Sequence, residues 1–263
     1  MPVSNSRTKR KVVSALRKYA RTMESWVRFT KRTSKLRPQT ANAFLLGVML
    51  DRNIPYQRAW DSGEWIADTL GDETDVSALW KSLRDIEPTR LRGFLRYGYG
   101  GQAFHRHYKT FARTLPQAAE HILENYDGDP RKIWNGQRDI SLVRKRLDAV
   151  PNIGPGLANM ALLILVREHG LLGGKKARRE LDLKPDIHVR RLFWRAGLVR
   201  GNESSDTQII EAARQFAPDY PAALDAPAWD IGRLWCRPSR PKCDECPIGG
   251  VCPKETGRQQ DRT

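Results

Sequence analysis

Apart from four residues near one end, the chain has no cysteine: Cys236, Cys243, Cys246 and Cys252 fall within a single short stretch. In a reducing compartment, thiols gathered in one place and absent elsewhere point to metal ligation rather than to a disulfide framework. Long apolar runs are absent too. The longest, Ala158 to Val166 with Asn159 inside it, is too short to span a bilayer. No apolar stretch backs the basic N-terminus, so neither a membrane span nor a secretory signal is expected, and the protein should be soluble and intracellular. Period-two alternation is missing, as is any repeat at a fixed period, which leaves no basis for a sheet or a solenoid. Acid is almost absent from the start. Residues 1–37 hold one, Glu24, against Arg7, Lys9, Arg10, Lys11, Arg17, Lys18, Arg21, Arg28, Lys31, Arg32, Lys35 and Arg37.

What is present follows from that imbalance. The 263 residues carry 46 Lys and Arg against 30 Asp and Glu, a net charge of +16. A basic excess of this size suggests a polyanion partner, with nucleic acid first and an anionic membrane surface second; a solvated basic face with no partner is the plain alternative. With 40% hydrophobic residues, the chain can bury a substantial core and is not a disordered one.

The pattern reads as all-α. Val13, Leu16, Ala20, Met23 and Val27 recur at spacings of three and four, one face of a helix over Lys11 to Lys31. Pro38 should end that segment and Thr40 should cap a second helix, Ala41 to Leu50, apolar nearly all round. Further helices are expected over Tyr56–Leu70, from Asp75 to Leu83, over Pro88–Tyr97, over Ala103–Tyr126 with a break near Pro116, over Ile140–Ala149, Leu157–Arg167, Ile187–Arg195, Asp206–Phe216 and Ala228–Trp235. The stretch Glu168 to Lys184, with paired glycines and the basic cluster Lys175, Lys176, Arg178 and Arg179, reads as a loop between two lobes.

Between the two helices that flank it, Val150-Pro151-Asn152-Ile153-Gly154-Pro155-Gly156 is a tight turn. Pro151 stops the first helix and Pro155 suits the first position of the second. Asn152 and Gly154 can both take positive φ. The second helix then opens with bare N–H groups, and glycines at 154 and 156 leave room for an anion to sit on them. A tight helix connection with no ligand explains the stretch equally well.

Context shifts that balance. The order of apolar–Pro–x–apolar–Gly before a helix, Pro185-Asp186-Ile187-His188-Val189, Trp229-Asp230-Ile231-Gly232-Arg233-Leu234-Trp235-Cys236 and the spacing C-x6-C-x2-C-x5-C resembles the endonuclease III-like branch of the helix-hairpin-helix DNA glycosylases, from about Thr40 to Cys252. The resemblance implies an all-α, two-lobed fold: a six-helix barrel lobe with the hairpin, residues 38–168, and a discontinuous lobe of 1–37 and 169–263 with an iron–sulfur cluster, the site lying in the cleft between. It implies that the four cysteines hold a [4Fe–4S] cluster. A four-cysteine zinc site is the alternative, although zinc ribbons have two C-x2-C pairs and here there is one. Arg237, Arg240 and Lys242, between the first two ligands, would touch DNA phosphate, as would Ile153, Gly154 and Gly156 in the hairpin.

The partner implied is double-stranded DNA with a damaged or mismatched base, bound by a monomer. Asp186 matches the family's catalytic aspartate, which stabilises positive charge on the deoxyribose and orients or deprotonates water; it can also be a plain helix cap. Asp182 is the fallback, and His188 reads as a structural helix residue. Family members that also cut the strand carry a lysine where this chain has Gly156, so a monofunctional glycosylase is expected. The alternatives are a lyase using another lysine, such as Lys175 or Lys176, and a catalytically silent iron–sulfur DNA-binding protein. Asn53, with Arg52 second, sits where relatives place a polar wedge in the emptied base stack. Gly47 stands near the position of a catalytic Glu in adenine glycosylases and disfavours that substrate. Tyr97, Tyr99 and His105 adjoin a glycine-rich loop that can border a pocket, with surface or core roles as the plainer reading. The basic N-terminal helix either packs with a solvated side or extends the DNA-binding face.

Overall fold

The structure, a computed structural model, describes residues 5–23 and 36–254. Among them every regular element is helical, and the single bridge, Tyr99 with Gln102, is isolated. No described helix is long and apolar enough to cross a membrane. The chain divides into two compact units, Ser25–Gly173 and the pair Met1–Glu24 with Gly174–Thr263. The second break falls at 173 rather than at the expected 168, and Leu172 just before it is buried.

The unit of 25–173 holds α2 (Pro38–Leu50), α3 (Tyr56–Leu70), α4 (Ala78–Asp85), α5 (Pro88–Tyr97), α6 (Tyr108–Tyr126), α7 (Ile140–Asp148) and α8 (Pro155–Arg167). α2 is its axis. Phe44, Leu45, Leu46, Val48, Met49 and Leu50 are all fully buried, as an all-round apolar helix must be. The buried amide of Asn42 accepts from Trp80 Nε1 at 2.8 Å and donates to Val76 O at 2.9 Å, so it is not stranded. α3 crosses α2 through two glycines: a Cβ on Gly63 would lie 2.7 Å from the Gly47 nitrogen.

Several boundaries differ from the sequence reading. α4 runs over Ala78–Asp85 instead of from Asp75 to Leu83, α7 ends at Asp148 and α8 starts at Pro155. Three further differences have a visible cause. α2 starts at Pro38 and not Ala41, because proline is well placed in a first helical turn; Thr40 is no cap, its hydroxyl donating to Arg37 O from inside the helix at 3.0 Å. Pro116 does not break α6. The buried row Phe111, Leu115, Ala118, Ala119 and Ile122 holds both halves on one face and outweighs the roughly 3 kcal/mol that an internal proline costs. α6 also begins at Tyr108 rather than Ala103, since Arg58 takes the Ala103 and Phe104 carbonyls at 2.5 and 3.1 Å.

The other unit comprises α1 (Ser6–Thr22), α9 (Lys175–Glu180), α10 (Ile187–Arg195), α11 (Asp206–Phe216) and α12 (Asp225–Leu234). α9 lies within the stretch read as loop. α1 begins earlier than expected, at Ser6, because Asn5 caps it by accepting from the Thr8 amide at 2.9 Å; residues 24–31 of the expected helix lie outside the described residues. Val12, Val13 and Leu16 of α1 join Val189, Leu192, Phe193, Ile209 and Ile231 in one core. Gly232 permits the crossing of α12 on α10, since a Cβ there would sit 2.5 Å from the His188 carbonyl oxygen.

Candidate active site and cysteine loop

The hairpin between α7 and α8 is a type II turn. Pro151 and Asn152 occupy its centre, Asn152 has φ +73°, and the Ile153 amide closes it by donating to Val150 O at 2.9 Å. The positive φ therefore falls on Asn152 alone. Gly154, expected to share it, is extended at φ −97°, ψ 177° as the N-cap of α8. Ile153 is also placed differently from the sequence reading: its amide is engaged in the turn and its side chain is 3% exposed. The amides of Gly154, Gly156 and Leu157 have no acceptor among the described residues, and a Cβ on Gly154 or Gly156 would meet nothing within 4 Å. Open donors at a helix N-terminus suit an anion. Arg52 braces this turn from the end of α2, its guanidinium donating to Asn152 O. Asn53, next to it, is exposed at φ +54° with its side chain in solvent.

Asp186 caps α10. Its Oδ1 accepts from the His188 and Val189 amides, both at 2.8 Å, while Oδ2 has no partner among the described residues. The cap thus fixes the carboxylate and leaves one oxygen available. Asp182 differs, because both its oxygens are held by Arg214 at 2.8 and 2.7 Å. His188 accepts at Nδ1 from Arg191 at 3.0 Å and packs edge-on to Trp229.

Arg191 is a residue the sequence reading passed over. Only 8% exposed, it donates to Cys236 O at 2.5 Å and Gly232 O at 2.6 Å. Burial pulls its guanidinium below the usual arginine range. One turn on, Arg195 donates to Arg237 O at 2.6 Å and Pro238 O at 2.8 Å and approaches Cys236 Sγ at 3.8 Å. A single helix thus carries Asp186 at its start and clamps the cysteine loop at its end. Arginine in an apolar helix face gives no signal in sequence; only the opposing carbonyls reveal it.

The four cysteines line one cavity with Leu192, Arg195 and Trp235. It encloses about 40 Å³, more than a single water needs. Among the described residues no three metal-ligating side chains converge as around one ion, although all four cysteines line this cavity. Burial, followed by the neighbouring thiols, pushes Cys252 up to about 11 and Cys246 up as well. A bound cationic centre would reverse that and hold them as thiolates. Gly249 is required here, since a Cβ would fall 2.3 Å from Cys243 O. Of the loop's basic residues, Arg237 is exposed with Nε on Leu234 O at 3.2 Å, Lys242 pairs with Glu245 at 3.1 Å, and Arg240 is exposed at φ +52°.

Other positions singled out in the sequence are now placed. Gly47 is imposed by packing: a Cβ would lie 2.6 Å from the Trp60 ring, so no glutamate fits there. Lys175 and Lys176 are exposed on α9. Tyr97 is 56% exposed under the Arg96 guanidinium, 4.8 Å from its ring centre. His105 is a core residue, accepting at Nδ1 from the His107 amide at 2.9 Å and meeting Leu50 O through Nε2 at 3.1 Å.

No family model matches the chain. Over 155 residues it is 25% identical to Endonuclease III of Synechocystis sp., covering 56% of this chain and 57% of that protein. Over 124 residues it is 30% identical to an endonuclease III homolog of Encephalitozoon cuniculi, covering 47% and 48%. The match spans about half the length of these curated relatives. Among solved structures, a thermostable thymine-DNA glycosylase overlays with a TM-score of 0.62 at 16% identity, over 94% of this chain and 96% of that one. A non-covalent endonuclease III–DNA complex overlays with a TM-score of 0.57 at 17% identity, over 83% and 84%. At these identities the overlays establish a shared fold.

Proposed function

We propose that this chain, a member of the endonuclease III-like branch of the helix-hairpin-helix DNA glycosylase superfamily, hydrolyses the N-glycosidic bond of a damaged or mismatched base in double-stranded DNA without cutting the strand. The observation that carries the reading is Asp186: one carboxylate oxygen is held by two amides and the other has no partner among the described residues. A fixed anion of this kind stabilises the positive charge that grows on the deoxyribose as the base departs, and it orients or deprotonates the attacking water. The C1′–N bond breaks, the base leaves with the electron pair and gains a proton, and the water oxygen bonds C1′. Both phosphodiesters stay intact. Gly156 offers no amine for attack on the sugar, which is why water is assigned that part.

The remaining residues bind and orient. The amides of Gly154 and Gly156 receive a phosphate. Asn53 fills the space left when the base turns out of the stack, a step that costs a few kcal/mol, and Arg52 steadies the hairpin behind it. Cys236, Cys243, Cys246 and Cys252 would hold a [4Fe–4S] cluster, whose contribution is a cross-link that keeps Arg237, Arg240 and Lys242 in shape against the backbone. The spacing C-x6-C-x2-C-x5-C, with one C-x2-C pair where zinc ribbons have two, favours a cluster over zinc.

The test is base release from a panel of duplexes, each with one altered base and each divided between alkaline and neutral work-up. Breaks only after alkali support the reading and name the substrate. Breaks at neutral pH, with a protein–DNA adduct trapped by borohydride, would assign the chemistry to a lysine such as Lys175 or Lys176. Iron and sulfide analysis of the purified protein checks the cluster.

A further inference from the structure

We infer that the solvent face of α1 is a phosphate-binding ridge for the backbone of undamaged duplex DNA. α1 contains no Asp or Glu. Two of its cations are engaged within the fold: Lys9 donates to Leu198 O at 3.4 Å and lies over the Phe216 ring, and Arg17 pairs with Asp219. Arg7, Arg10, Lys11, Lys18 and Arg21 have no acidic partner among the described residues, and all are exposed. At 3.6 residues per turn they fall within an arc of about 100°, opposite the buried Val12, Val13 and Leu16. Arg7, Arg10 and Lys11 together with Ser14 line one shallow recess of about 550 Å³.

This arrangement works against the free helix. Like charges three and four residues apart destabilise a helix by about 0.2–0.5 kcal/mol per pair. Three of the cations also sit in the first turns, at the positive end of the helix dipole, where acid is favoured. A polyanion removes both penalties. The geometry selects which one. From Arg7 to Arg21 the helix rises about 21 Å, and phosphates of one strand advance about 3.4 Å along the duplex axis, so the ridge spans about six of them. A membrane-surface helix inserts an apolar face, but that of α1 is already buried in the core of its unit.

The choice of DNA rests on the proposed function; the experiment uses undamaged duplex and reads no base release, so the two can fail separately. In the full chain, Arg7, Lys11 and Lys18 are replaced together by Gln, and binding to a labelled intact duplex is followed across a salt series. A control replaces Lys81, Arg84 and Lys132 by Gln, which removes the same charge from residues paired with Asp75, Asp85 and Asp127. The ridge variant should lower the slope of log K against log salt by about 2.7, and the control should lower it by less than one. The ridge variant relieves repulsion, so its thermal midpoint should not fall; a Lys11→Arg/Lys18→Arg pair, which keeps the charge, should keep the slope. An unchanged slope, or an equal change in the control, would overturn the inference. So would loss of binding to phosphatidylserine-containing vesicles with duplex binding intact.

Discussion

Asparagine caps a helix as well as aspartate, which makes Asp186→Asn an informative substitution. The amide oxygen still accepts from His188 and Val189, and loss of the charge at the helix start costs no more than about 1 kcal/mol. Base release should nevertheless fall by at least about 2.7 kcal/mol, roughly a hundredfold, with duplex affinity retained. A rate near that of the parent protein would remove Asp186 from the chemistry. At the same scale, burial, with His107 and Arg106 beside it, pulls His105 from 6.5 to about 4. Its ring must donate to Leu50 O and accept from the His107 amide, so a second proton has no place in the fold. The unfolded chain takes that proton below about pH 6.5 and the folded chain does not. This contribution is therefore complete above about pH 6.5 and is lost as pH falls towards 4, by on the order of 2–3 kcal/mol. Urea titrations at about pH 7 and pH 4.5 measure the loss, and it should shrink in His105→Asn, which can donate and accept without titrating.

Among elements, the hairpin and α10 carry the candidate residues, each within its own unit. The turn depends on one left-handed residue, and Asn152 adopts φ +73° at little cost. Asn152→Val places a β-branched side chain there and should destabilise the chain by about 1–2 kcal/mol, whereas Asn152→Gly should be close to neutral. Denaturant midpoints of the three proteins decide it, and a valine variant of parental stability would show that the turn takes another form. α10 is a stiff connection by contrast. Asp186 begins it and Arg191 and Arg195 grip the carbonyls of the cysteine loop, so the shape of that loop and the aim of the carboxylate share one helix.

On the scale of the molecule, the two units differ in what holds them. The 25–173 unit is organised around α2, buried from Ala41 to Leu50. The loop 236–252 has little apolar core of its own beyond Ile248, and burial disfavours the charged form of the Cys246 and Cys252 thiols. In the proposed cluster-bound protein, removing iron should speed amide hydrogen exchange across 236–252 while leaving α2 and α3 protected. Uniform loosening of both units, or no change, would contradict a local cross-link by metal.

Much of this was open to reading in the chain itself. Helices such as Tyr56–Leu70, Pro88–Tyr97, Ile187–Arg195 and Asp206–Phe216 have the bounds their periodicity and flanking residues predict, because caps and apolar spacing act locally. The cysteine spacing and the bare Gly156 are likewise properties of sequence. What packing decided lay elsewhere. Pro116 stays helical because a buried face outweighs its local penalty, and Thr40 is drawn inside a helix that starts earlier. Gly154 is relieved of a positive φ that Asn152 takes. Asp182 and Asp186 look alike in sequence, but Arg214 occupies both oxygens of one while two amides occupy a single oxygen of the other. Arg191 becomes a clamp because α12 and Cys236 present carbonyls to it. Local bonding is written in neighbouring residues, whereas the partner of a buried polar group comes from distant parts of the chain and exists only once they have packed.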